Sequence, residues 1–275
     1  MRLQKWLLKE ANVSPEEIDL IILATDTPEF LSPATSAAVH YGLGTKKASF
    51  FDINSACAGF VMALDTASKH MIADSYLNTI LVIGAYNMTK YVDWKDKKTC
   101  TIFADGAAAF VLRAQDSEFS RGRLASSYLG VSEYYDALGI FAGGTRMPIT
   151  KEVLESGKNL HKVKFLKKFS PQLNIENWPF LVEDCLKKAK ISKQDVKHYI
   201  FTQININATR EVMKVLGEPM EKTTTIMDKY GYTGSACVPM AYHLYKQKEA
   251  VQEGDVIVFC ASGGGMSMCA YLYKH

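Results

Sequence analysis

Long apolar runs are missing from this sequence. No stretch approaches the roughly 18 consecutive apolar residues that a membrane-spanning helix requires. Residues 1–19 carry too many charges for a signal peptide. We therefore predict a protein that is neither embedded in a membrane nor exported.

Cysteine pairs are missing as well. The six cysteines form no C-x-x-C pair and no compact cluster with histidine, which argues against a zinc site and against a disulfide scaffold. The expected setting is a reducing cytoplasm, with no bound metal. Basic residues are not in large excess, since 32 lysines and arginines face 29 aspartates and glutamates. Bulk charge therefore gives no reason to expect nucleic-acid binding.

Two nucleotide-binding signatures are also absent: the chain has neither the G-x-G-x-x-G fingerprint nor a Walker-type GK[ST] motif. What remains is the composition of a soluble globular protein, with 48% hydrophobic and 22% charged residues. A chain of 275 residues is long enough for one large α/β unit or for two domains, each with a substantial core.

An internal repeat organises the chain. VSPEEIDLIILATDT starts at Val13, and ISKQDVKHYIFTQIN starts at Ile191, 178 residues later (191 minus 13). Each has a serine that caps a helical turn, an acidic residue three positions on, and an apolar run. The run Leu20–Ala24 is typical of a strand that is buried on both faces of a parallel sheet.

A second match follows the first in the same order. SACAGFVMAL from Ser55 and SACVPMAYHL from Ser235 are 180 residues apart (235 minus 55), and each leads into an apolar strand, TILVIGA or DVIVFCA. Ordered matches at a nearly constant offset indicate duplication. We predict an α/β protein of two similar halves, residues 1–115 and 116–275, with a less regular insertion at about 115–180 that is either a pocket wall or a surface connection.

Both S-A-C cysteines are placed for chemistry. A cysteine at a helix N-terminus is exposed to the helix dipole, so its thiol pKa can fall well below about 8.5. Cys57 and Cys237 both fit this description, and both also fit a structural role as small buried residues. The terminal string SGGGMS, Ser262 to Ser267, follows a predicted strand, and its N–H groups are suited either to an oxyanion or to a tight turn.

Four motifs carry a resemblance to a known family. DINSACAGF, FADGAAAFVL, GYTGSA and the terminal strand with GGG occur in the order found in β-ketoacyl-acyl-carrier-protein synthase III and its relatives of the thiolase-fold superfamily. The resemblance covers nearly the whole chain. It implies a thiolase-like fold of duplicated α/β halves in a layered αβαβα arrangement.

The resemblance also implies a reaction and its residues. An acyl group passes from acyl-CoA to Cys57, and a malonyl unit on an acyl carrier protein loses CO₂ and attacks the thioester. The oxyanion donors would be the N–H groups of Cys57 and Gly265, with Gly263 and Gly264 shaping the loop. Cys237 would be packing. No permanent cofactor is expected, coenzyme A thioesters being substrates, and a homodimer is expected.

Two positions depart from the family pattern. The family's catalytic histidine is replaced by Thr202 in the string Thr-Gln-Ile-Asn, and its catalytic asparagine is replaced by Tyr232. In the family those two residues hydrogen-bond the malonyl thioester and stabilise the enolate. The resemblance places Asn205 and Gln203 in the substrate pocket and Arg210 at the carrier-binding surface.

Other residues have two interpretations each. Glu29 is either a general base, as in relatives that condense without decarboxylation, or an exposed turn residue. His198 and His243 are interpreted as packing or solvated residues. A basic stretch is either a site for the acidic carrier and CoA phosphates or a solvated surface, and three apolar side chains line either an acyl channel or the core. These sets are Lys158, His161, Lys162, Lys164, Lys167 and Lys168, and then Phe60, Met62 and Met266.

The N-terminus is shorter than the family pattern. Leu3, Trp6, Leu7 and Ala11 have helical spacing, so the chain is expected to begin inside the family's first helix. The strand that precedes that helix, expected to be central in each half, is missing through truncation or loss.

Three functions follow from these features. The first is decarboxylative condensation of the synthase III type. The second is acyl transfer to an ester or amide without decarboxylation, and the third is a non-catalytic partner of an active synthase.

Overall fold

The computed structural model describes residues 8–115, 121–249 and 251–275. Leu3, Trp6 and Leu7, on which most of the predicted N-terminal helix depends, lie outside these residues. The strands are β1 (Leu20–Ala24), β2 (Ser49–Ile53), β3 (Thr79–Asn87), β4 (Asp105–Arg113), β5 (Gly122–Gly130), β6 (Leu138–Gly139), β7 (Lys164–Phe165), β8 (Val196–Phe201), β9 (Val256–Gly263) and β10 (Ser267–Lys274). The α-helices are α1 (Thr35–Leu43), α2 (Gly59–Ala73), α3 (Lys151–Glu155), α4 (Leu173–Ala189), α5 (Ile206–Leu216), α6 (Met227–Tyr230) and α7 (Cys237–Lys248).

Two four-stranded sheets form the centre of the molecule, with the orders β2-β1-β3-β4 and β8-β9-β10-β5. In the first, β1 runs parallel to β2 and β3, and β4 is antiparallel to β3. In the second, β8 and β9 are parallel, and β10 is antiparallel to both β9 and β5. All five residues of β1 are buried, which confirms the strand predicted from its apolar run.

Five layers result from the packing of helices on these sheets. Helix α1 packs on the outer face of the first sheet, and α4 packs with α5 on the outer face of the second. Helix α2 contacts strands of both sheets, and α7 contacts β4 and β8, so these two helices lie between the sheets. The largest core cluster fills this middle layer. The predicted αβαβα arrangement of a thiolase-like α/β fold is confirmed.

The two halves correspond strand by strand. Strands β1, β3 and β4 match β8, β9 and β10 in order and direction. The position of β2 is occupied in the second half by an isolated parallel bridge between Tyr199 and Thr223. Strand β5 has no counterpart among the described residues of the first half.

The prediction that the missing N-terminal strand is a central one is wrong. Its second-half counterpart, β5, pairs with β10 alone and forms the edge of its sheet. In the first half the equivalent edge belongs to β4, whose outer side has no paired strand among the described residues. The first sheet therefore keeps all its central pairings.

The insertion predicted at about 115–180 is shorter than expected, because Gly122–Gly130 is the regular strand β5 and Leu173 begins α4. Only the part from 131 to 172 has short elements, namely α3, β6 and β7. The first sheet uses residues 20–113 and the second uses residues 122–274. The division into domains at residue 115 stays a prediction.

Candidate active site

Two short helical turns meet at the centre of the molecule. Ala56–Ala58 precedes α2, Gly234–Ala236 precedes α7, and the two turns are in contact. Each also rests on a glycine from the opposite half. A Cβ atom on Gly263 would lie 2.1 Å from the Ser55 carbonyl oxygen, and one on Gly84 would lie 2.4 Å from that of Ser235.

This crossed packing repeats the internal symmetry, because both the glycines (263 minus 84) and the serines (235 minus 55) are about 180 residues apart. It explains why both S-A-C segments look alike in the sequence: each needs small residues to approach a strand of the other half. The turn that carries Cys57 lies on the Gly263 end of β9, where the glycine loop begins. Gly264 also faces this turn, since its Cβ would lie 3.9 Å from that of Ala56.

Cys57 is buried, with 8% of its surface exposed. Burial raises the pKa of its thiol well above the usual range, the Asp26 carboxylate raises this pKa further, and a hydrogen bond from the Tyr232 side chain lowers it. The expectation that the helix N-terminus would lower the pKa is therefore not met, because the loss of hydration outweighs the helix dipole.

Tyr232 lies directly beside Cys57. Its side chain is hydrogen-bonded to the cysteine, and its backbone is held by Ile102 and Ala104, with N···O distances of 2.9 Å each. The Tyr86 ring is 6.4 Å from the Tyr232 ring, and the pKa of both phenols is raised, chiefly by burial. The residue at the family's asparagine position is thus in contact with the predicted nucleophile.

Asp26 is a site residue that the sequence reasoning missed. It follows β1, whose last residue, Ala24, is paired with Ile53 and with Gly84. The same register row leads into Cys57 after β2 and into Tyr86 within β3, so the three side chains belong to one end of the sheet. The predicted carboxylate, Glu29, is exposed three residues further on. A position directly at the end of the apolar run, rather than in the following loop, was the available signal.

Thr202 lies at the end of β8, next to the glycine loop. It is buried, and its hydroxyl oxygen accepts a hydrogen bond of 3.0 Å from the Ser262 N–H. A hydroxyl that accepts one bond still has its proton to donate. The residue at the family's histidine position therefore braces the strand that leads into Gly263.

Gln203 is placed differently from its predicted role in substrate binding. Its buried side-chain amide donates to the carbonyl oxygens of Phe201 and Thr224 and accepts from the Ile226 N–H. Both amide hydrogens are thus used within the protein, and the residue acts as a brace between loops. These contacts give no support to substrate binding by Gln203.

Asn205 and Arg210 lie on the surface beside this region. Asn205 is exposed and caps α5, accepting hydrogen bonds from the N–H groups of Asn207 and Ala208. Arg210 is exposed on the same helix, with one hydrogen bond of 3.2 Å to Asn207. Neither residue is described in contact with Cys57.

Cys237 is fully buried at the start of α7, and burial raises its thiol pKa to about 12. It is in the electrostatic environment of Cys57. His198 is buried, is stacked on Tyr245 with ring centroids 3.7 Å apart, and has its pKa lowered to about 4 by burial. His243 is on the exposed side of α7 and contacts Gln247.

The predicted basic stretch divides into two groups. Lys164 is paired with Asp93 and Asp96, Lys167 is paired with Asp136, and the Lys162 Nζ donates to a backbone carbonyl. His161 is partly buried, with a buried Nδ1 that has no hydrogen-bond partner in the described part of the chain. Lys158 and Lys168 are exposed.

The predicted channel residues are not brought together. Phe60 is fully buried and contacts the Phe110 ring at 5.0 Å, so it belongs to the core between the sheets. Met62 lies near the site, with its sulfur 3.9 Å from the Ser267 hydroxyl. Met266 packs against the core cluster of the outer helices of the second sheet.

A cavity of about 520 Å³ lies elsewhere, beside the edge strand β4. It is lined by residues 107–112 of that strand and by side chains of α7 and β10, and Cys57 is not among its lining residues. It is therefore separate from the cluster around the cysteine. The described residues contain no group of three or more side chains suited to a metal ion, and no described helix is long and apolar enough to cross a membrane.

Comparisons with known proteins point to one family. The model of 3-oxoacyl-[acyl-carrier-protein] synthase III matches residues 51–130, and the model of its C-terminal part matches residues 186–275. β-Ketoacyl-[acyl-carrier-protein] synthase III of Aliarcobacter butzleri is 33% identical over 268 residues, which cover 97% of this chain and 79% of the relative.

Solved structures agree with this result. The crystal structure of 3-oxoacyl-[acyl-carrier-protein] synthase III from Aquifex aeolicus is 32% identical, has a TM-score of 0.84, and is matched over 98% of this chain and 80% of that one. The corresponding enzyme from Pseudomonas aeruginosa shares the fold, with a TM-score of 0.86 at 24% identity over 99% and 81% of the two chains.

Proposed function

Since this chain belongs to the 3-oxoacyl-[acyl-carrier-protein] synthase III family, we propose that it loads an acyl group from an acyl-CoA onto Cys57 and condenses it with a malonyl group on an acyl carrier protein. The chain is then an acyl-transferring condensing enzyme of fatty acid or polyketide biosynthesis. Its Cys57 is the nucleophile, and coenzyme A thioesters are substrates, with no permanent cofactor.

The single observation that carries the choice of Cys57 is its contact with the glycine loop. Of the two symmetry-related turns, the one with Cys57 rests on Gly263, so the loop Gly263 to Gly265 lies beside its sulfur. Cys237 rests instead on the Gly84 side of β3, which continues as a strand to Asn87. A thioester at Cys57 therefore has free backbone beside it, and one at Cys237 would not.

Acylation forms the bond between the Cys57 sulfur and the acyl carbon and breaks the bond from that carbon to the CoA sulfur. The negative charge that develops on the acyl oxygen needs nearby N–H donors, and those of Cys57 and Gly265 are our candidates. Thr202 supports this arrangement indirectly, because its hydroxyl fixes the Ser262 backbone next to the loop.

Condensation requires donors for the malonyl thioester oxygen once CO₂ leaves. We assign this role to the Tyr232 hydroxyl and to the hydroxyl proton of Thr202, in place of the family's asparagine and histidine. Neither can carry a positive charge at neutral pH. Because loss of one donor in such a site typically costs about two to three orders of magnitude in rate, condensation is expected to be slower than in relatives with histidine and asparagine.

Acyl transfer without decarboxylation is the second candidate. It is favoured by the replacement of both family donors, since a reaction that releases no CO₂ does not depend on them in the same way. The acceptor in such a reaction is an alcohol or an amine. Consumption of the malonyl carrier therefore distinguishes condensation from this alternative.

Carrier and CoA recognition is assigned to exposed basic residues. Lys158, Lys168 and Arg210 are exposed and would meet the acidic carrier or the CoA phosphates. Lys164 and Lys167 already have carboxylate partners and are left out of this surface. Asn205, beside Arg210, is assigned to the pantetheine-facing side of the same region.

We extend the proposal to a cytoplasmic homodimer. The outer edge of β2, which has no paired strand in the described part of the chain, supports an interface together with the exposed side chains around it. Unpaired strand edges with apolar neighbours favour pairing with another chain. Phe50 on β2 is 39% exposed, and Tyr41 on the adjoining helix α1 is 89% exposed.

The test is incubation with acyl-CoAs of different chain lengths, followed by intact-protein mass spectrometry. The wild-type protein is expected to gain the mass of one acyl group, Cys57→Ala is expected to gain none, and Cys237→Ala is expected to behave as wild type. Absence of any adduct on a folded wild-type protein would disprove the proposal.

A further inference from the structure

Asp26 is a buried carboxylate that the function proposed above leaves unused. Its Oδ1 atom is sealed from solvent and has no hydrogen-bond partner among the described residues. A buried carboxylate without partners is costly, because water that would have solvated the charge has been removed. Such a group raises the question of what it contacts when a substrate is present.

The surroundings of Asp26 are the components of the acylation site. From the turn before α2, Cys57 faces it, and from β3, Tyr86 faces it; the carboxylate shifts the pKa of both. Tyr232 and Cys237 are the next groups around Cys57, and Asp105 is the further acid that acts on Tyr86. None of these neighbours is a histidine, lysine or arginine.

Cys57 needs a proton acceptor. Its pKa is raised by burial, so at neutral pH the sulfur is a thiol and a poor nucleophile. The pKa of Asp26 is itself raised by burial, from 3.8 to about 6. A base with a pKa just below the working pH is ionised and still takes up a proton readily, which is the condition for efficient general-base catalysis.

We propose that the Asp26 carboxylate is the general base that removes the Cys57 thiol proton during acylation and returns it to the departing CoA sulfur. The inference rests on the proposed acylation of Cys57. In the first step the S–H bond breaks, its proton binds Asp26, and the sulfur electron pair forms the bond to the acyl carbon. In the second step the carbon–sulfur bond to CoA breaks, and the proton on Asp26 binds the CoA sulfur.

Protons and electrons balance over these two steps. No electrons are gained or lost, Asp26 ends as the carboxylate, and CoA leaves as a thiol. The Tyr232 hydrogen bond to the sulfur stabilises the developing negative charge on the same atom. Asp26 thereby takes the part of a base among neighbours that include no histidine, and the unpartnered Oδ1 is the atom available to accept the proton.

The experiment measures the rate of Cys57 acylation by rapid-quench mass spectrometry between pH 5 and 9. In the wild type, the rate is expected to rise tenfold per pH unit up to about pH 6 and then to level off, as Asp26 ionises. Asp26→Asn is expected to lose this inflection and about 100-fold or more of the rate at pH 7. Asp26→Glu is expected to restore an inflection in part.

Two controls separate this role from a structural one. Glu29→Gln, which changes an exposed carboxylate on the same loop, is expected to leave the pH profile unchanged. Asp26→Asn is expected to reach the same final amount of adduct at pH 9 after long incubation, because the thiolate then forms without a base.

The outcomes are distinct for the two claims. A wild-type profile without an inflection near pH 6 overturns the role of Asp26 whatever the variants do, as does an Asp26→Asn rate within threefold of wild type. A wild-type protein that never acquires acyl mass on Cys57 overturns the proposed function itself.

Discussion

The Tyr232 hydroxyl is the side-chain donor closest in role to the family's asparagine, since it hydrogen-bonds the Cys57 sulfur. The bond lowers the thiol pKa against the larger effect of burial. Tyr86 is equally buried in the same cluster but has no such bond among the causes that shift the Cys57 pKa. The two tyrosines therefore form a matched pair for testing the contribution of one hydroxyl group.

Tyr232→Phe is expected to raise the Cys57 pKa further and to slow its alkylation by iodoacetamide about tenfold or more at pH 8. A hydrogen bond to a charged group contributes about 1.5–3 kcal/mol, and the variant loses that stabilisation of the thiolate. The measurement is the alkylation rate as a function of pH. Tyr86→Phe is the control, expected within about twofold of wild type; an equal slowing in both variants would show that only packing was disturbed.

Asp26 makes the second residue-level prediction, a dependence of stability on pH. Its pKa is raised from 3.8 to about 6 on folding, so the folded protein holds this proton more tightly than the unfolded chain. Its contribution to stability is complete below about pH 4 and is lost as the pH rises through 6. Asparagine cannot ionise and avoids the loss.

Asp26→Asn is therefore expected to be more stable than wild type at pH 7.5, by at most about 3 kcal/mol, and to show no advantage at pH 4. Urea unfolding at both pH values measures the difference. Glu29→Gln should change stability little at either pH. Equal effects of Asp26→Asn at pH 4 and pH 7.5 would contradict the assignment of a buried, ionising carboxylate.

At the scale of elements, the crossed packing of turns on strands holds the site together. The turn with Cys57 lies on Gly263, and the turn with Cys237 lies on Gly84, each too close for a side chain. A Cβ atom added to Gly130, in β5, would meet no atom within 4 Å beyond its chain neighbours, so this glycine serves as a control. Gly263 and Gly84 thus each test one of the two symmetry-related contacts.

Gly263→Ala and Gly84→Ala are each expected to lower the free energy of unfolding by about 1–3 kcal/mol, since the added methyl group forces backbone atoms apart. Only Gly263→Ala should also slow acylation of Cys57, because it displaces the turn that carries the nucleophile. Denaturant unfolding and the adduct rate measure the two effects, with Gly130→Ala expected near wild type. Wild-type acylation in a folded Gly263→Ala protein would contradict this account.

Much of this level was predictable from the sequence. The nearly constant offset of the repeated segments predicted two similar α/β halves, and the fully apolar run Leu20–Ala24 predicted a buried parallel strand. The edge position of the missing strand was not predictable, because the sequence of a strand does not state its order in a sheet. Only the antiparallel pairing of β5 with β10 alone showed it.

The candidate site was predictable in part for the same physical reason. Motifs identified Cys57 and Tyr232 as neighbours, and the structure brings them together. The lowered thiol pKa was not met, because burial depends on the tertiary packing of both halves. Asp26 was passed over for Glu29, three residues away, because the depth at which a chain leaves a sheet cannot be read from the residue types alone.

At the scale of the whole molecule, one edge of the first sheet supports pairing with a second copy. Phe50 projects at the β2 edge, and its ring lies 5.1 Å from that of His40 on α1. Phe180, on α4, is 57% exposed on the outer face of the second sheet and offers a matched aromatic residue away from that edge.

The wild-type protein is expected to run at twice the mass of one chain in size-exclusion chromatography with light scattering. Phe50→Glu should shift it toward the monomer, because a charge then lies in the apolar interface. Phe180→Glu should leave the dimer intact. A monomeric wild type, or dissociation by Phe180→Glu alone, would contradict an interface at β2.

The most direct test of the central claim follows the acyl group after it has reached Cys57. The protein is loaded with an isotope-labelled acyl group from the best acyl-CoA, freed of excess donor, and mixed with malonyl-acyl carrier protein. The account predicts that the label leaves Cys57 and appears in a 3-oxoacyl carrier product, with one CO₂ released for each product. Label that passes only to water, an alcohol or an amine while the malonyl carrier stays intact would contradict it.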